Sequence, residues 1–252
     1  MAVLDRPVVL PKMMFLACWD MIDLGPLPTA MGGNLHHWMT GQARRDLERG
    51  ALDSLTNVGM ARNGRVNPLW RATLATLAKA EREWYAFSVF ASGRDCSTLV
   101  ASKDGDCVRV VIDDAVIVIE SLPDKWHATA LLDALPDIAG AAVRPLAVPK
   151  AFYDDPDAGR ASVLDEPPDT RDLDALRVVM TRPRHATHQL YTAKHDNDGR
   201  LSSTPITALD LADQGGRVLT YVTGDDQIVM TPGGPREVIV ALNDTHNALS
   251  DC

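Results

Sequence analysis

The sequence lacks the features that mark several classes of protein. Its four cysteines are widely spaced among 252 residues and form no CxxC pair, so free thiols in a reducing compartment are expected. Apolar runs such as Ala115–Ile119 are far shorter than the roughly 20 residues that span a bilayer. The apolar stretch Met13–Trp19 is followed at once by Asp20, which argues against a secretory signal. We therefore expect a cytoplasmic protein without membrane insertion.

Positive charge is also scarce. The chain has 34 acidic residues against 25 lysines and arginines, which gives a net charge of −9, and it contains no basic cluster. An acidic protein is repelled by phosphate backbones and by anionic lipid. Nucleic acid and membrane surfaces are therefore poor partners, and another protein or a small molecule is the better expectation.

Motifs for catalysis and for cofactors are missing as well. The sequence has no G-x-S-x-G, no P-loop lysine motif and no G-x-G-x-x-G. His185 and His188 form an H-x-x-H pattern, but residues three apart on a strand point to opposite faces and cannot share one metal ion without a kink. We predict no catalytic, cofactor-binding or metal-binding residue. An enzyme of unknown class that uses His185 or His188 with nearby carboxylates remains the alternative.

The same order of elements occurs twice along the chain. Helical periodicity over Leu10–Asp23 and a helix capped by Asn67 precede four strand-like runs after Trp84 and a helix over Pro123–Pro136. Later, a short helix capped by Thr170 precedes four more strand candidates and a closing helix introduced by prolines. This order predicts an α+β fold with an internal structural duplication. Coincidence within an ordinary α+β protein is the alternative explanation.

An acidic stretch separates the two regions. Asp154–Asp174 holds eight acids against Arg160 and Arg171, with three prolines and few large apolar residues, which is typical of a solvated linker. We predict a single domain over 1–252 made of two related halves, about 1–150 and 170–252. The linker at about 154–170 joins them.

Two short turns each contain an Asp-Gly pair that predicts how the flanking strands are paired. A two-residue turn at Asp104-Gly105 sets Cys107 opposite Ser102, so this register does not pair Cys107 with Cys96. The segment "KHDNDGRL" has the acids and the glycine of a calcium loop. With Gly199 at the sixth position, however, a lysine occupies position one and a proline position twelve, where neither can bind calcium. We predict instead a hairpin turn centred on Asp198-Gly199.

Three longer segments together carry a resemblance to a known family. They are "FLACWDMIDLGPLPTAM" (15–31), "RVNPLWRATLATLAKAEREWYAFSVFASG" (65–93) and "HQLYTAKHDNDGRLSSTPITALDLADQGGRVLTYV" (188–222). In the third, a glutamine precedes a strand, a charged D-x-D-G-R hairpin follows, and Gly-Arg opens the last strand. The chain resembles the EspG family, cytosolic chaperones of the actinobacterial ESX (type VII) secretion systems. Two departures, His188 before the glutamine and an arginine-poor hairpin, leave the subgroup and the cargo open.

The resemblance implies both a fold and a function. The implied fold is a pseudo-twofold α+β structure with a central antiparallel sheet flanked by helices. The implied function is to bind the PPE subunit of a PE/PPE heterodimer, keep it soluble and direct it to its secretion system. A generic interaction scaffold, or a weak homodimer, is the further alternative.

The family motif supplies no contact residues, so candidates come from the sequence pattern. The exposed turn 92–97 offers Arg94 and Asp95 for cargo-specific pairing. A second candidate set belongs to the last strands and the last helix, where an apolar surface beyond the needs of the core is conceivable. Its members are Tyr221, Met230, Val238, Ile239 and Leu242. Packing within the core is the competing interpretation of this second set.

Overall fold

A computed structural model describes residues 4–32, 39–155, 170–196, 199–213 and 215–249. These residues form one eleven-stranded antiparallel sheet with helices on both of its faces. The predicted α+β fold with a central antiparallel sheet flanked by helices is confirmed. The linker predicted at about 154–170 lies almost entirely outside the described residues. Within the described part of the chain, no helix is both long and apolar enough to cross a membrane.

The first part of the chain supplies an edge strand, three helices, a small hairpin, a four-stranded meander and a short helix. Its elements are β1 (Val8–Pro11), α1 (Lys12–Ile22), a 3-10 turn (Thr29–Met31), α2 (Gly41–Asn57), β2 (Ala61–Arg62), β3 (Arg65–Val66), α3 (Pro68–Ala78), β4 (Arg82–Phe90), β5 (Asp95–Lys103), β6 (Asp106–Ile112), β7 (Val116–Leu122) and α4 (His127–Leu132). The predicted cap of α3 is confirmed, because the Asn67 side chain accepts a 2.9 Å hydrogen bond from Leu69 N.

The second part supplies another edge strand, two helices, five strands and a closing helix. Its elements are β8 (Leu146–Pro149), α5 (Lys150–Asp154), α6 (Arg171–Thr181), β9 (Arg184–Asp196), β10 (Gly199–Ser202), β11 (Ile206–Leu211), β12 (Gly216–Val222), β13 (Gln227–Pro232) and α7 (Pro235–Ala248). The helix predicted after Thr170 is present as α6. The Thr170 hydroxyl does not cap the backbone of α6, because it bonds the Asp174 carboxylate instead.

The sheet has two pseudo-symmetric halves that meet at its centre. Outward from the centre, one half runs β4, β5, β6, β7, β1 and the other runs β9, β11, β12, β13, β8. The central strands β4 and β9 pair with Tyr85 opposite Tyr191. The limits of the halves along the chain stay a prediction. β8, which precedes the predicted boundary near residue 150, pairs with β13.

The two edge strands were not predicted, although a sequence signal marks both. β1 ends in Pro11 and is followed by Lys12 and a helix, and β8 ends in Pro149 and is followed by Lys150 and a helix. Each proline has a φ close to the value of about −65° that its ring imposes, together with an extended ψ. A residue with these angles can end a strand and directly precede a helix. The predicted helix over Leu10–Asp23 therefore begins two residues late, at Lys12.

The predicted turns have separate outcomes. Asp104 and Gly105 have φ of 51° and 83°, and Ser102 pairs with Cys107, so this turn and its register are confirmed. In the other hairpin Gly199 pairs with Asp196 and is therefore a strand residue. The other predicted turn residue, Asp198, lies outside the described residues.

The helix predicted over Pro123–Pro136 is shorter than expected. α4 begins at His127, and Trp126 precedes it with φ of 63° and 75% of its surface exposed. Trp126 points away from the core, whereas Leu131 and Leu135 are buried.

Helices divide between the two faces of the sheet. Helices α1, α2 and α3 cover β5 to β7 on one face, and α6 covers β11 to β13 on that same face. Helices α4 and α7 pack on the opposite face, over the central strands. Side chains alternate along each strand, so residues 85, 87 and 89 of β4 belong to the first face and residues 84, 86 and 88 to the second. The middle of the first face, between the two groups of helices, contains the candidate site.

Candidate protein-binding groove

A groove opens on the first face, where the 3-10 turn after α1 lies against the ends of β4 and β5. Its volume is about 250 Å³. Apolar side chains form the floor, namely Ala30, Met31, Phe87, Val89 and Ile112, and charged side chains form the rim, namely Lys12, Asp95, Asp113 and Asp114. An apolar centre within a polar rim is the usual anatomy of a protein–protein interface.

The wall of the groove is held by local hydrogen bonds. Trp19 Nε1 donates to Gly25 O over 2.9 Å, which fixes the chain where it leaves α1. Met31 N donates to Pro28 O at 2.9 Å and closes the 3-10 turn, which buries the Met31 side chain. Gly32 then takes φ of 83°, a conformation that side-chain-bearing residues rarely adopt. The wall is therefore set by the chain that follows α1.

Aromatic side chains extend the floor towards the centre of the sheet. The rings of Tyr85 and Tyr191 stack with centroids 5.0 Å apart, and Phe87 meets Tyr191 edge-on at 6.1 Å. Val89 follows on the same strand and face, and 56% of its surface is exposed. A strand valine this exposed beside half-buried aromatic rings is a suitable anchor for another protein.

The rim is acidic, with three aspartates, and the structure holds one of them in its ionised form. The Asp113 carboxylate accepts hydrogen bonds of 2.8 Å from Val116 N and Ala115 N. These bonds hold the pKa of Asp113 below its ordinary value. Three aspartates face one lysine around the groove, so a partner with basic side chains around an apolar contact is complementary.

The first pair of predicted partner residues lies at this groove or next to it. Asp95 is part of the rim. Arg94, its neighbour in the turn, places its guanidinium 5.0 Å from the centroid of the Phe90 ring. The turn is exposed, as the sequence predicted. Both residues stay predictions as partner contacts.

The second predicted set lies elsewhere. Met230, Val238 and Leu242 are at most 2% exposed, while Tyr221 and Ile239 are half-buried against the α4 and α7 core. Met230 faces the α6 side of the sheet, whereas α7 covers the opposite face. The five residues do not form one surface with Arg94 and Asp95. Their burial favours the competing interpretation, which is core packing.

Of the residues that line the groove, only Asp95 was singled out from the sequence. Its apolar residues Met31, Phe87 and Val89 were not. In the run Trp84–Phe90 almost every position is apolar or aromatic, which signals a strand with apolar side chains on both faces. That pattern does not show which face is left open, because the covering helices come from distant parts of the chain.

The histidines of the enzymatic alternative do not converge. His185 is exposed, and His188 is fully buried on the opposite face of β9. His188 Nδ1 lies 2.8 Å from Ser88 Oγ, and its Nε2 lies 2.9 Å from Asp210 Oδ2. The residue types are those of a hydrolase triad, but Ser88 is only 4% exposed, and although it is among the residues that line the groove, its position in β4 belongs to the opposite face of the sheet.

A buried arginine completes this polar network. Arg217 donates two hydrogen bonds to the Asp210 carboxylate, at 2.6 and 3.0 Å, and a third of 2.9 Å to Pro136 O. Burial alone raises the pKa of Asp210, but hydrogen bonds and charge from His188 and Arg217 prevail and lower it. The network therefore joins β4, β9, β11 and β12 inside the sheet, which is a structural role.

A second concavity of about 390 Å³ lies between α1, α2 and β3. Met21, Ile22 and Leu52 line it together with Arg65 and Arg71. Among the described residues, neither this cavity nor the groove is lined by a histidine. The general acid–base pair that the enzymatic alternative needs is therefore not found at either opening.

The fold is that of an α+β protein with a doubled antiparallel sheet and an open apolar groove on one face. A model of the EspG family matches residues 11–244, and the chain belongs to that family. Its structure is similar to that of the Mycobacterium tuberculosis type VII secretion system chaperone EspG5, solved in complex with a PE25-PPE41 dimer. The TM-score is 0.71 at 14% sequence identity, over 95% of each chain. No curated protein sequence matches this chain.

Proposed function

We propose that this protein is a cytoplasmic chaperone that binds the PPE subunit of a PE/PPE heterodimer. Binding keeps the PPE protein soluble and directs the pair to its ESX (type VII) secretion system. Family membership supports this proposal, as does the relative of the same fold that was solved with a PE25-PPE41 dimer. The observation in this chain that carries it is the open apolar groove with its acidic rim.

The groove specifies the chemistry of its partner. Val89 and Phe87 offer apolar contact area, and Asp95, Asp113 and Asp114 surround it with negative charge. A helical tip with apolar side chains flanked by lysine or arginine matches such a surface in both respects. We propose that the PPE protein presents such a tip to the groove.

The buried position of the serine–histidine–aspartate network supports a protein that is not an enzyme. The Ser88–His188–Asp210 network is buried in the sheet, and Arg217 donates two hydrogen bonds to its aspartate. A general base needs access to a substrate proton, which a fully buried His188 does not have. Enzymatic turnover therefore has no support at this constellation.

Co-expression with the PE/PPE pairs of the same genome tests the proposal. Pull-down followed by size-exclusion chromatography with light scattering is expected to give a complex of one PE protein, one PPE protein and this chain. The same measurement on the chain alone reports any weak homodimer. If the chain is folded and no PE/PPE pair co-purifies, the chain has the fold of the family without its function.

A matched pair of valine substitutions places the interface. Val89→Glu puts a charge into the groove, whereas Val240→Glu puts one on α7, on the opposite face, where Val240 is 48% exposed. We expect Val89→Glu to weaken PE/PPE binding at least about tenfold, equivalent to about 1.4 kcal/mol. Val240→Glu is expected to bind like the unmodified chain. Equal effects of the two variants would exclude the groove as the interface.

A further inference from the structure

Three side chains that can bind metals converge on the face opposite the groove. Cys107 is the second residue of β6, Asp124 lies in the turn after β7, and His127 begins α4. The Cys107 thiol, one carboxylate oxygen of Asp124 and one imidazole nitrogen of His127 all lie within 4.8 Å of one another. Elements separated along the chain therefore bring three different ligand types to one point.

Two of the three side chains are held in place by their neighbours. The His127 ring stacks on the Trp84 indole with centroids 4.4 Å apart and planes 4° from parallel. His127 Nε2 lies 2.7 Å from Asp124 Oδ1, and Arg82 donates to Asp124 Oδ2 over 3.2 Å. Metal sites commonly have their carboxylate and imidazole ligands oriented by such outer partners.

We propose that Cys107, Asp124 and His127 bind a transition-metal ion of the zinc class. Thiolate, imidazole and carboxylate are the ligands that Zn²⁺ takes in proteins, and three of them leave a fourth position for water or for another ligand. Tetrahedral ligand atoms lie roughly 3.5 Å apart, so the widest separation must shorten by at most about 1.3 Å, while the 2.7 Å between His127 Nε2 and Asp124 Oδ1 must lengthen if both atoms bind the ion. Side-chain rotation covers these distances.

Binding changes the protonation of the site. Burial raises the pKa of the Cys107 thiol to about 12, so the thiol is neutral without an ion. As the metal–sulfur bond forms, the S–H proton passes to solvent, and the neutral His127 ring binds the ion through the nitrogen that carries no proton. No electron transfer is involved. Buried Cys107 and half-buried Asp124 keep the site largely out of bulk water, with Asp124 as its exposed edge.

The site is separate from the proposed partner groove. Cys107 packs in the core cluster that contains Trp84 and α7, while the groove lies on the α1 face. Metal binding at this point therefore does not depend on the proposed chaperone function. The two proposals can fail independently, because one is read by metal binding and the other by PE/PPE binding.

Cobalt(II) titration of the full, untagged chain tests the site, since a thiolate ligand gives Co²⁺ a charge-transfer band. We expect one Co²⁺ per chain, with that band present and with Zn²⁺ displacing it. Cys107→Ser should abolish the band, and His127→Gln should weaken binding about tenfold or more. Cys18→Ser is the matched control, because Cys18 is also buried and its pKa is raised to about 11, yet it lies next to Trp70.

The outcomes decide the proposal in either direction. A folded chain that gives no thiolate band with Co²⁺ overturns it, as does a band that survives in Cys107→Ser. Circular dichroism confirms that each variant is folded before titration. If Cys107→Ser does not fold, Asp124→Asn and His127→Gln supply the test, because unchanged cobalt affinity in both is incompatible with the site.

Discussion

At the scale of single residues, the buried charges matter most. Asp210 and Arg217 are almost fully buried, and each is the other's main partner. A buried ion pair is costly to break, because removing one member leaves the other charge without water and without a partner. Surface ion pairs of the same type contribute little, since water and salt screen them.

Replacing Arg217 tests this difference. We expect Arg217→Met to lower the free energy of unfolding by about 3–5 kcal/mol. Arg182→Met is the matched control, because Arg182 also contacts an aspartate twice at 2.7 Å, but on the surface; about 1 kcal/mol or less is expected there. Urea denaturation measures both. Similar losses in the two variants would contradict the structural role assigned to the network.

His246 gives the protein a pH-dependent stability. It is buried on α7, and its ring stacks on Trp84 with centroids 4.2 Å apart. Burial, followed by the nearby cations Lys194 and Arg82, lowers the pKa of His246 from 6.5 to about 4. The unfolded chain takes up a proton at higher pH than the folded chain does. The free energy of unfolding therefore falls as pH drops from about 6.5 to about 4.

Denaturation at several pH values measures this effect. The free energy of unfolding is expected to fall by about 2–3 kcal/mol as the pH drops from about 6.5 to about 4. Above about pH 6.5, His246 contributes nothing to the pH dependence of stability. His246→Gln should flatten the profile in this range, whereas His185→Gln, which changes an exposed histidine, should leave it as it is. A chelator keeps metal ions out of the comparison. An unaltered profile in His246→Gln would show that other groups cause the dependence.

At the scale of secondary structure elements, the start of α4 stands out. Of the five non-glycine residues with positive φ in the described chain, the other four are aspartate or asparagine, which tolerate this conformation. Trp126 is the exception, and it is mostly exposed. Its backbone conformation is imposed by the turn that precedes α4 and by the packing of the helix that follows.

Two substitutions at this position separate backbone strain from side-chain packing. Trp126→Ala removes the indole and keeps the strained conformation, while Trp126→Gly also relieves the strain. We expect the glycine variant to be more stable than the alanine variant by about 1 kcal/mol. Thermal denaturation compares them. A more stable alanine variant would contradict a left-handed backbone conformation at Trp126.

Strand periodicity explains which elements were predictable. The four-stranded meander from Arg82 to Leu122 was recognised because short turns join strands that are neighbours in the chain. The edge strand β1 was missed, since Val8 pairs with Ile119, more than a hundred residues away. The helix α4 was predicted too long, because the helical pattern in the sequence extends from Pro123 through the turn that precedes His127.

At the scale of the whole molecule, both halves contribute to one sheet across the β4–β9 pair. Nine residue pairs join these two strands in the described structure, and buried side chains such as Ala86 and Leu190 pack across the junction. Without the other half, the central strand of each half would be an unpaired edge strand. A single cooperative unfolding transition is therefore expected.

The distribution of tryptophan allows a direct test of this cooperativity. All five tryptophans precede residue 150, so their fluorescence reports mainly on the first half, although Trp84 also contacts His246 of α7, whereas circular dichroism reports on both halves. We expect the two signals to give coincident urea transitions. Two separated transitions would mean that the halves unfold independently and would favour a two-domain description.

The sequence by itself determined the class of fold, the two meanders, most helices, the register of Cys107 and the opposite orientations of His185 and His188. These follow from short-range rules, because side-chain alternation and turn chemistry act over a few residues. Only the tertiary structure decided the β4–β9 junction, the sealed network around Asp210 and the open groove beside Val89. Each depends on which distant segments cover a given face, and local periodicity carries no information about that choice.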